Sequence, residues 1–335
     1  MRRDIVVIGA SAGGIDALKT LFAALPADFP ASVFVVVHTS PEAPGLLAHI
    51  LNHVGRLHAT AVRTAERIES GNVYVACPDH HLIVEPGVVR ATKGPKENRF
   101  RPAVDPLFRS AAQTYGPRVV GVVLTGALDD GSAGLWAVKH LGGTAVVQDP
   151  NDAFAPSMPR NALQRVEVDH CVPLAHMARL LVRLVQEPAA APGEITVPRH
   201  IGIEVDIAKA ENALHAGVLE LGVASNFACP ECHGVLRQLK EGKQIRFRCH
   251  TGHAYSPESL MADINEGIEE ALWNAVRSVQ ESALLMQHLA DHAATENGEA
   301  AAESLRMSAD KAKKRAEVVR QAVLEHSTVG DIPGE

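Results

Sequence analysis

A serine between two glycines follows the first apolar run of the chain. Gly9-Ala10-Ser11-Ala12-Gly13 comes directly after Ile5–Ile8, and Gly-x-Ser-x-Gly is the spacing of a nucleophile elbow, whose small residues allow a sharp turn that exposes the hydroxyl. A serine in this position also caps helices. A dinucleotide site is a weaker interpretation, because Ser11 stands where Gly-x-Gly-x-x-Gly requires its second glycine. The spacing alone therefore leaves catalysis and capping open.

A serine nucleophile needs a general base and a group that orients the base. His38 ends the apolar run Val33–Val37, and Asp129 and Asp130 lie just beyond the run Val119–Leu124. The carboxyl ends of parallel strands open onto one edge of a sheet, so we expect the serine, the histidine and one aspartate to meet there. Either aspartate could instead cap the helix that follows.

The elements that must position these side chains alternate strand-like and helix-like segments through residues 1–186. Unbroken Val- and Ile-rich runs are typical of strands that are buried on both faces. The runs are Ile5–Ile8, Val33–Val37, Val119–Leu124 and Thr144–Val147, and the helical segments are Gly14–Ala24, Gly45–Val54, 104–116 and Ser132–Leu141. This order predicts an α/β fold, a doubly wound and mainly parallel sheet with helices on both faces. The runs 71–77, 81–85 and 88–92 predict an inserted antiparallel meander.

The composition excludes several classes of protein. Of 335 residues, 46% are hydrophobic and 21% charged, and 32 Lys and Arg against 39 Asp and Glu give a net charge of −7. A disordered chain and a polybasic binder of nucleic acid or membranes are thereby excluded. No window reaches the ~18 uncharged apolar residues of a membrane span, and Met1-Arg2-Arg3-Asp4 does not start a signal peptide. We expect a cytoplasmic protein without direct membrane insertion.

Three of the five cysteines are clustered and point to a metal. Two cysteines in C-x₂-C spacing, sixteen further residues and a C-x₃-H pair match the two knuckles of a structural zinc site. The predicted ligands are Cys229, Cys232, Cys249 and His253, with His250 or His233 as substitutes. Four protein ligands leave no open position, so the zinc would hold a small module together. Burial of the cysteines as small apolar residues is the alternative.

The second half of the chain differs from the first in charge and pattern. Residues 1–200 sum to about +1 and residues 201–335 to about −8. The small, proline-containing stretch Glu187–Gly193 predicts a domain boundary. Apolar residues spaced by three and four over 264–286 and 305–323 predict a helical hairpin, whose stripes pack on each other or serve self-association or a signalling partner. The predicted segments are a catalytic domain at 1–186, a linker at 187–226, a zinc-ribbon-like module at 227–256, the hairpin at 257–326 and a tail at 327–335.

Five separated blocks of residues 4–186, in order, resemble the catalytic domain of CheB-type chemotaxis methylesterases. The blocks are Ile8–Gly14, Val36–His38, Asn98–Asp105, Leu124–Gly134 and Ser157–Pro159. The resemblance implies Ser11 as nucleophile, His38 as general base and Asp130 as the orienting carboxylate. It also implies hydrolysis of glutamate methyl esters on the cytoplasmic helices of chemoreceptors, glutamine deamidation as a possible second activity, and no cofactor for the chemistry. Since Met1 directly precedes the first strand, the receiver domain common in that family is not expected.

The acyl chemistry needs an oxyanion site, for which we expect backbone N–H groups of Ala12, Gly126 and Ala127. Arg99 and Arg101 are candidates for binding an acidic receptor surface, or for ion pairs inside the domain. Nucleic acid is not an expected partner, because the basic residues near the cysteines lack a platform of aromatic residues. Two other hypotheses remain: a non-catalytic signalling scaffold on the same fold, and a nucleotide-binding protein.

Overall fold

The computed structural model of the chain describes residues 1–190, 196–210, 212–295 and 298–329, with side chains through 325. The chain forms two compact units that divide after Leu260. In the described ranges, no helix combines the length and the apolar character that crossing a bilayer requires. The predicted boundary at Glu187–Gly193 lies partly, and the predicted tail at 327–335 mostly, outside the described residues.

The elements follow in the order of the chain. The strands are β1 (Ile5–Ala10), β2 (Ser32–Val37), β3 (His58–Val62), β4 (Ala65–Arg67), β5 (Asn72–Ala76), β6 (His81–Glu85), β7 (Val88–Thr92), β8 (Val119–Val123), β9 (Thr144–Gln148), β10 (His170–Val172), β11 (Val223–Ala228), β12 (Val235–Glu241), β13 (Gln244–Cys249) and β14 (Ala254–Tyr255). The helices are α1 (Gly14–Ala24), α2 (Leu47–Val54), α3 (Val104–Tyr115), α4 (Ser132–His140), α5 (Ser157–Arg165), α6 (Leu174–Gln186), α7 (Arg199–Ala208), α8 (Ala213–Ala216), α9 (Pro257–Thr295) and α10 (Glu299–Val329).

The central sheet is parallel, as the valine-rich runs predict. Its strand order is β10-β9-β8-β1-β2-β5-β3, and each neighbouring pair is parallel. β1 lies in the middle, with Val7 paired to Phe34 on one side and to Gly121 on the other. The chain leaves β1 towards β2 and returns to β8, so the strand order reverses beside β1, where doubly wound folds place their ligand sites.

Alternate side chains of β1 enter two separate cores. Val6 and Ile8 belong to a buried cluster that includes Leu18 of α1 and Leu181 of α6. Val7 belongs to another, which includes residues of α3, α4, α5 and α7. Because successive side chains of a strand point to opposite faces, this division confirms helices on both faces of the sheet.

The predicted antiparallel meander is wrong in its first strand. β6 and β7 pair antiparallel, in a small sheet of order β4-β7-β6, but β5 pairs parallel with β2 and β3 in the central sheet. Val73, Tyr74 and Val75 are all buried, as expected of a strand that is covered on both faces. The Pro-Asp sequence after this strand marks a change of sheet.

The segment predicted as a linker at 187–226 is folded over much of its length. It contains α7, in which Ile201, Glu204 and Val205 are buried, and α8. The strands that follow form an antiparallel sheet of order β11-β12-β13-β14. These elements belong to the first compact unit together with the central sheet. The small residues near 190 are typical of a linker, but that composition does not continue into α7, which has a buried face.

The described part of the second unit consists of two helices, the continuation of α9 from Met261 and α10. Buried residues recur every seven positions in both helices, the repeat of a coiled coil. They are Val276, Ala283 and Ala290 in α9, and Ala302, Ala309, Ala316 and Val323 in α10, where Ala312 is buried as well. Ala309, Ala316 and Val323 lie within the predicted stripe over 305–323, whereas Ile268, which lies within the predicted stripe over 264–286, is exposed.

Candidate active site

Ser11 occupies the turn between β1 and α1. Its N–H donates to the carbonyl of Thr125 at 2.9 Å, and its carbonyl accepts from the N–H of Gly14 at 2.8 Å. Gly13 has a φ of +74°, and a Cβ at this residue would lie 2.7 Å from the Cβ of Phe154. The turn therefore requires glycine at that position, and it leaves the serine side chain at the carboxyl edge of the sheet.

His38 follows the neighbouring strand β2 and contacts Ser11. Its Nδ1 lies 3.1 Å from Ser11 Oγ, and its Nε2 lies 2.7 Å from Oδ2 of Asp130. The ring stacks on Phe100, with centroids 3.8 Å apart and planes inclined by 6°. Because an ionised carboxylate can only accept, Nε2 carries the proton and Nδ1 offers its lone pair to the serine hydroxyl. The histidine is thus oriented as a base towards Ser11.

Asp130 lies in the loop between β8 and α4, and it is buried and densely hydrogen-bonded. It accepts from the N–H of Val104 at 2.7 Å, the N–H of Gly131 at 2.9 Å and Nδ2 of Asn98 at 2.9 Å. Burial raises the pKa of this carboxyl, but the hydrogen bond and charge of His38, with the N–H donors, outweigh burial and lower the pKa to about 2. The group is therefore ionised at neutral pH.

The neighbouring Asp129, which the residues alone left as an alternative, is directed elsewhere. Its carboxylate pairs with Arg165 and accepts from Ser256 Oγ at 2.6 Å. Burial, together with the negative charge of Glu258, raises its pKa to about 6 against the effect of Arg165. Asp130 is therefore the aspartate that contacts His38.

A second buried carboxyl, Asp105, shares Asn98 with Asp130. Asn98 Nδ2 donates to Asp105 Oδ2 at 2.9 Å, and the N–H of Gly134 donates to Asp105 Oδ1 at 2.6 Å. Burial and the negative charge of Asp130 raise the pKa of Asp105 to about 7. The environment thus separates the pKa values of two adjacent carboxyls, which is common at catalytic sites.

The three residues predicted to bind the oxyanion differ in whether the backbone N–H is already hydrogen-bonded and in how exposed the residue is. The N–H of Gly126 donates to the carbonyl of Ala155 at 2.9 Å, so the structure does not support Gly126 as a donor to substrate. Ala12 and Ala127 occupy exposed positions on the two loops that flank Ser11. Thr125 joins these loops, because its hydroxyl donates to the carbonyl of Ala12 at 2.9 Å.

A cleft of about 550 Å³ opens above Ser11 and His38. Its lining includes Lys96, Arg99 and Arg101. The Arg101 guanidinium is bound to groups of the domain itself, since Nε donates to Asp79 at 2.8 Å and Nη1 donates to the carbonyl of Gly94 at 3.0 Å. Of the two roles that the sequence left open, Arg101 therefore fills that of an internal ion pair, whereas Arg99 lines the cleft.

Asn98 and Phe100 are two further residues of the site whose roles the sequence did not indicate. Both fall in the block Asn98–Asp105 that carries the resemblance, but neither residue type announces its contact. Asn98 has a φ of +49° and is buried, and Phe100 stacks on His38. The only indication in the sequence was that a polar and an aromatic residue lie beside Arg99 and Arg101.

The predicted metal ligands form a separate cluster. The donor atoms of Cys229, Cys232, Cys249 and His253 all lie within 4.8 Å of one another. Cys232 Sγ is 3.5 Å from Cys249 Sγ, and Cys229 Sγ is 3.7 Å from His253 Nδ1. Bonds of about 2.3 Å to a tetrahedral zinc imply ligand separations of about 3.8 Å, so this donor set fits zinc. His233 and His250 are not part of the cluster.

Comparisons with known proteins cover the first half of the chain. The chain is 39% identical over 187 residues to a Leptospira interrogans protein named putative protein-glutamate methylesterase/protein-glutamine glutaminase. The aligned region covers 56% of this chain and 97% of that protein. A protein-glutamate methylesterase/protein-glutamine glutaminase of Anaeromyxobacter dehalogenans is 38% identical over 185 residues, 55% of this chain and 54% of that protein.

The fold has a solved counterpart of the same kind. The Thermotoga maritima CheB methylesterase catalytic domain superposes with a TM-score of 0.52 at 34% sequence identity, covering 54% of this chain and 98% of that domain. A sequence model of the family described as CheB methylesterase matches residues 6–181, which include Ser11, His38 and Asp130. The chain therefore belongs to the CheB methylesterase family.

Proposed function

We propose that the protein is a serine esterase that hydrolyses glutamate methyl esters on chemoreceptors or related signalling proteins. The observation that carries this proposal is the hydrogen-bonded chain from Ser11 through His38 to the ionised Asp130, at the floor of an open cleft. A nucleophile, a base and an orienting carboxylate in this arrangement serve acyl transfer. The names of the relatives support the same reaction class.

The first half of the reaction makes an acyl-enzyme. Ser11 Oγ attacks the ester carbonyl while His38 Nδ1 takes its proton, and Asp130 stabilises the imidazolium. The backbone N–H groups of Ala12 and Ala127 hold the oxyanion of the tetrahedral intermediate. When the intermediate collapses, the carbon–oxygen bond to the methoxy group breaks and His38 returns the proton, so that methanol leaves and the glutamyl group stays on Ser11.

The second half repeats these steps with water. His38 takes a proton from the water that attacks the acyl-enzyme, and returns it to Ser11 Oγ as the glutamate is released. The balance is one ester and one water in, one carboxylic acid and one methanol out. Side chains, backbone amides and water suffice for each step. On a glutamine side chain the same steps would release ammonia, and the glutaminase in the names of relatives supports this second activity.

Zinc is proposed at Cys229, Cys232, Cys249 and His253, in a structural role. Zinc fits three thiolates and one imidazole, and four protein ligands leave no position for water or substrate. When bound, the metal would supply cross-linking between the turn after β11 and the turn after β13. Two predictions remain for the C-terminal helices, packing on each other and association with a partner or a second copy.

Hydrolysis of a methylated cytoplasmic chemoreceptor fragment in ¹⁸O-labelled water tests the proposed function. Because the acyl–oxygen bond breaks and water supplies the new oxygen, we expect mass spectrometry to find one ¹⁸O in each product glutamate and none in the methanol. Retention of all methyl groups would favour the non-catalytic scaffold, and label in the methanol would exclude acyl transfer.

A further inference from the structure

The folded segment beyond the family match is bonded directly to residues 96–98, the loop from which Asn98 donates to Asp130. The N–H of Asn98 donates to the carbonyl of Ala254 at 2.8 Å, and the N–H of Ala254 donates to the carbonyl of Lys96 at 3.2 Å. β14 therefore lies alongside residues 96–98, in strand-like contact. We call residues 199–260 the extension, because the family match ends at residue 181.

Asn98 connects the extension to the catalytic aspartate through a single amide. Its Nδ2 donates to Asp130 Oδ1 and to Asp105 Oδ2, each at 2.9 Å. Its Oδ1 accepts from the N–H of Ser256 at 3.0 Å and from Ser259 Oγ at 3.2 Å. Two carboxylates on one side and two donors on the other fix the orientation of the amide. Asn98 is 3% exposed, so no solvent replaces a lost partner.

A second contact from the extension reaches the residue next to Asp130. Ser256 Oγ donates to Asp129 Oδ1 at 2.6 Å, and Arg165 pairs with both Asp129 and Glu258. Ser256 thus bonds Asp129 directly and reaches Asp130 through Asn98. An aspartate that must present one oxygen to His38 at 2.7 Å depends on such support.

A buried ion-pair network holds the extension on the catalytic domain. Arg248 Nη2 lies 2.7 Å from Glu97 and 2.9 Å from Glu204, and Arg246 Nη1 lies 2.8 Å from Glu204. Arg109 of α3 pairs with Glu97. These side chains are at most 3% exposed. Because removing one partner of a buried pair leaves an uncompensated charge, the extension is a fixed part of the first unit, and Glu97 directly precedes Asn98.

The cysteine–histidine cluster is one short strand away from these contacts. β14 joins His253 to Ser256, and Tyr255 within it places its hydroxyl 3.8 Å from Cys229 Sγ. A metal that fixes His253 would therefore fix the start of the strand whose other end holds Asn98.

We propose that the extension is a positioning element of the esterase site, in which Ser256 and Ser259 hold Asn98, and Asn98 aligns Asp130 with His38. This inference rests on the proposed function. It makes Asn98, Ser256 and Ser259 positioning residues, and it explains why a small metal module lies beside the catalytic loop and not at the end of a flexible linker.

The double variant Ser256→Ala/Ser259→Ala tests the inference, with Ser225→Ala as the matched control. Ser225 lies in β11, in the sheet that also contains β14, and donates to the carbonyl of Leu236. The double variant keeps the Ser256 N–H that donates to Asn98, but it loses the bond of Ser259 Oγ to Asn98 and that of Ser256 Oγ to Asp129. In the whole chain with zinc bound we expect kcat for methanol release to fall about tenfold or more, with KM and zinc content unchanged, because each lost hydrogen bond costs about three- to tenfold. The control keeps its kcat.

A second readout separates this inference from the proposed function. We expect the proton between His38 Nε2 and Asp130 to give a downfield NMR resonance that weakens or shifts in the double variant and in Ser259→Ala alone, and that persists in Ser225→Ala. An unchanged resonance and kcat in a folded variant would overturn the inference and leave the esterase proposal intact. A wild-type protein without methanol release would overturn the esterase proposal, and the resonance would still report on the coupling. If the double variant does not fold, Ser259→Ala decides.

Discussion

At the scale of the residue, the orientation of the His38 ring decides what Ser11 can do. Its Nε2 faces Asp130 and its Nδ1 faces Ser11, while Phe100 covers one face of the ring. The position of His38 and Asp130 at the ends of β2 and β8 could be predicted from the sequence. The choice of ring nitrogen could not, because it depends on the angle at which two loops approach the ring.

Asp130→Asn should prevent His38 from acting as a base towards Ser11, while it keeps a side chain of the same size at position 130. The asparagine amide can donate to Nε2, which places the imidazole proton on Nδ1 and leaves no lone pair for Ser11. We expect kcat for methanol release to fall by about 10³- to 10⁴-fold, while the protein remains folded. Asp16→Asn, at an exposed position of α1, is the control and should keep full activity. A loss of less than tenfold in Asp130→Asn would contradict the role of Asp130.

The raised pKa of Asp105 predicts that the stability of the fold depends on pH. Its pKa is raised to about 7 in the folded protein from about 3.9 in the unfolded chain. Such a group stabilises the fold fully below pH ~4, and this contribution is lost as pH rises through ~7. Asp105→Asn cannot ionise, so its stability relative to wild type should improve between pH 5 and pH 8. Guanidinium unfolding of both proteins at the two pH values measures this difference, and a constant difference would contradict the raised pKa.

At the scale of the element, the edge of the parallel sheet brings the site together. Val/Ile-rich runs predicted β1, β2 and β8 as buried parallel strands, and parallel strands place the residues after them on one edge. The contact of Asn98 with Ser256 could not be predicted, since 158 positions separate the two residues and neither belongs to a periodic pattern. Long-range polar contacts of loops leave little trace in a single sequence.

The loop after β8 packs directly behind the serine turn. A Cβ on Gly126 would lie 2.1 Å from Met158 Sδ and 2.8 Å from Ser11 Cβ. We expect Gly126→Ala to displace Ser11 and to lower kcat by about 10²-fold, with destabilisation of about 1–3 kcal/mol. Gly267→Ala is the control, because a Cβ at that position would enter open space. Calorimetry and methanol release measure the two effects, and an unchanged kcat in Gly126→Ala would show that the serine turn tolerates displacement.

At the scale of the whole molecule, buried charge joins segments that composition separates. The small residues near 190 mark a boundary in the sequence, and the extension that follows is nevertheless packed against the catalytic domain through Arg246, Arg248 and Glu204. Charged residues of these types are mostly exposed in proteins. Their burial depends on a partner in a distant loop, Glu97. The parallel sheet of residues 1–186 was therefore predictable, apart from the place of β5 in it, and the docking of the extension was not.

Removal of the metal should therefore affect the first unit as a whole. We expect Cys249→Ser to lower the zinc content from one equivalent to less than about half, and to lower the unfolding temperature of the protein. Cys171→Ser is the control, because Cys171 is exposed and outside the cluster. Elemental analysis of protein purified without added metal, with thermal unfolding, measures both. Equal zinc content in wild type and Cys249→Ser would contradict the assignment of the ligands.

The account depends above all on Ser11 as the nucleophile. The most direct measurement is the rate of methanol release from a methylated chemoreceptor cytoplasmic fragment by wild type, by Ser11→Ala and by Ser308→Ala, a control on the outer face of α10. We expect Ser11→Ala to lose at least about 10³-fold in kcat while it folds normally, and Ser308→Ala to match wild type. Undiminished methanol release by Ser11→Ala would contradict the assignment of the site.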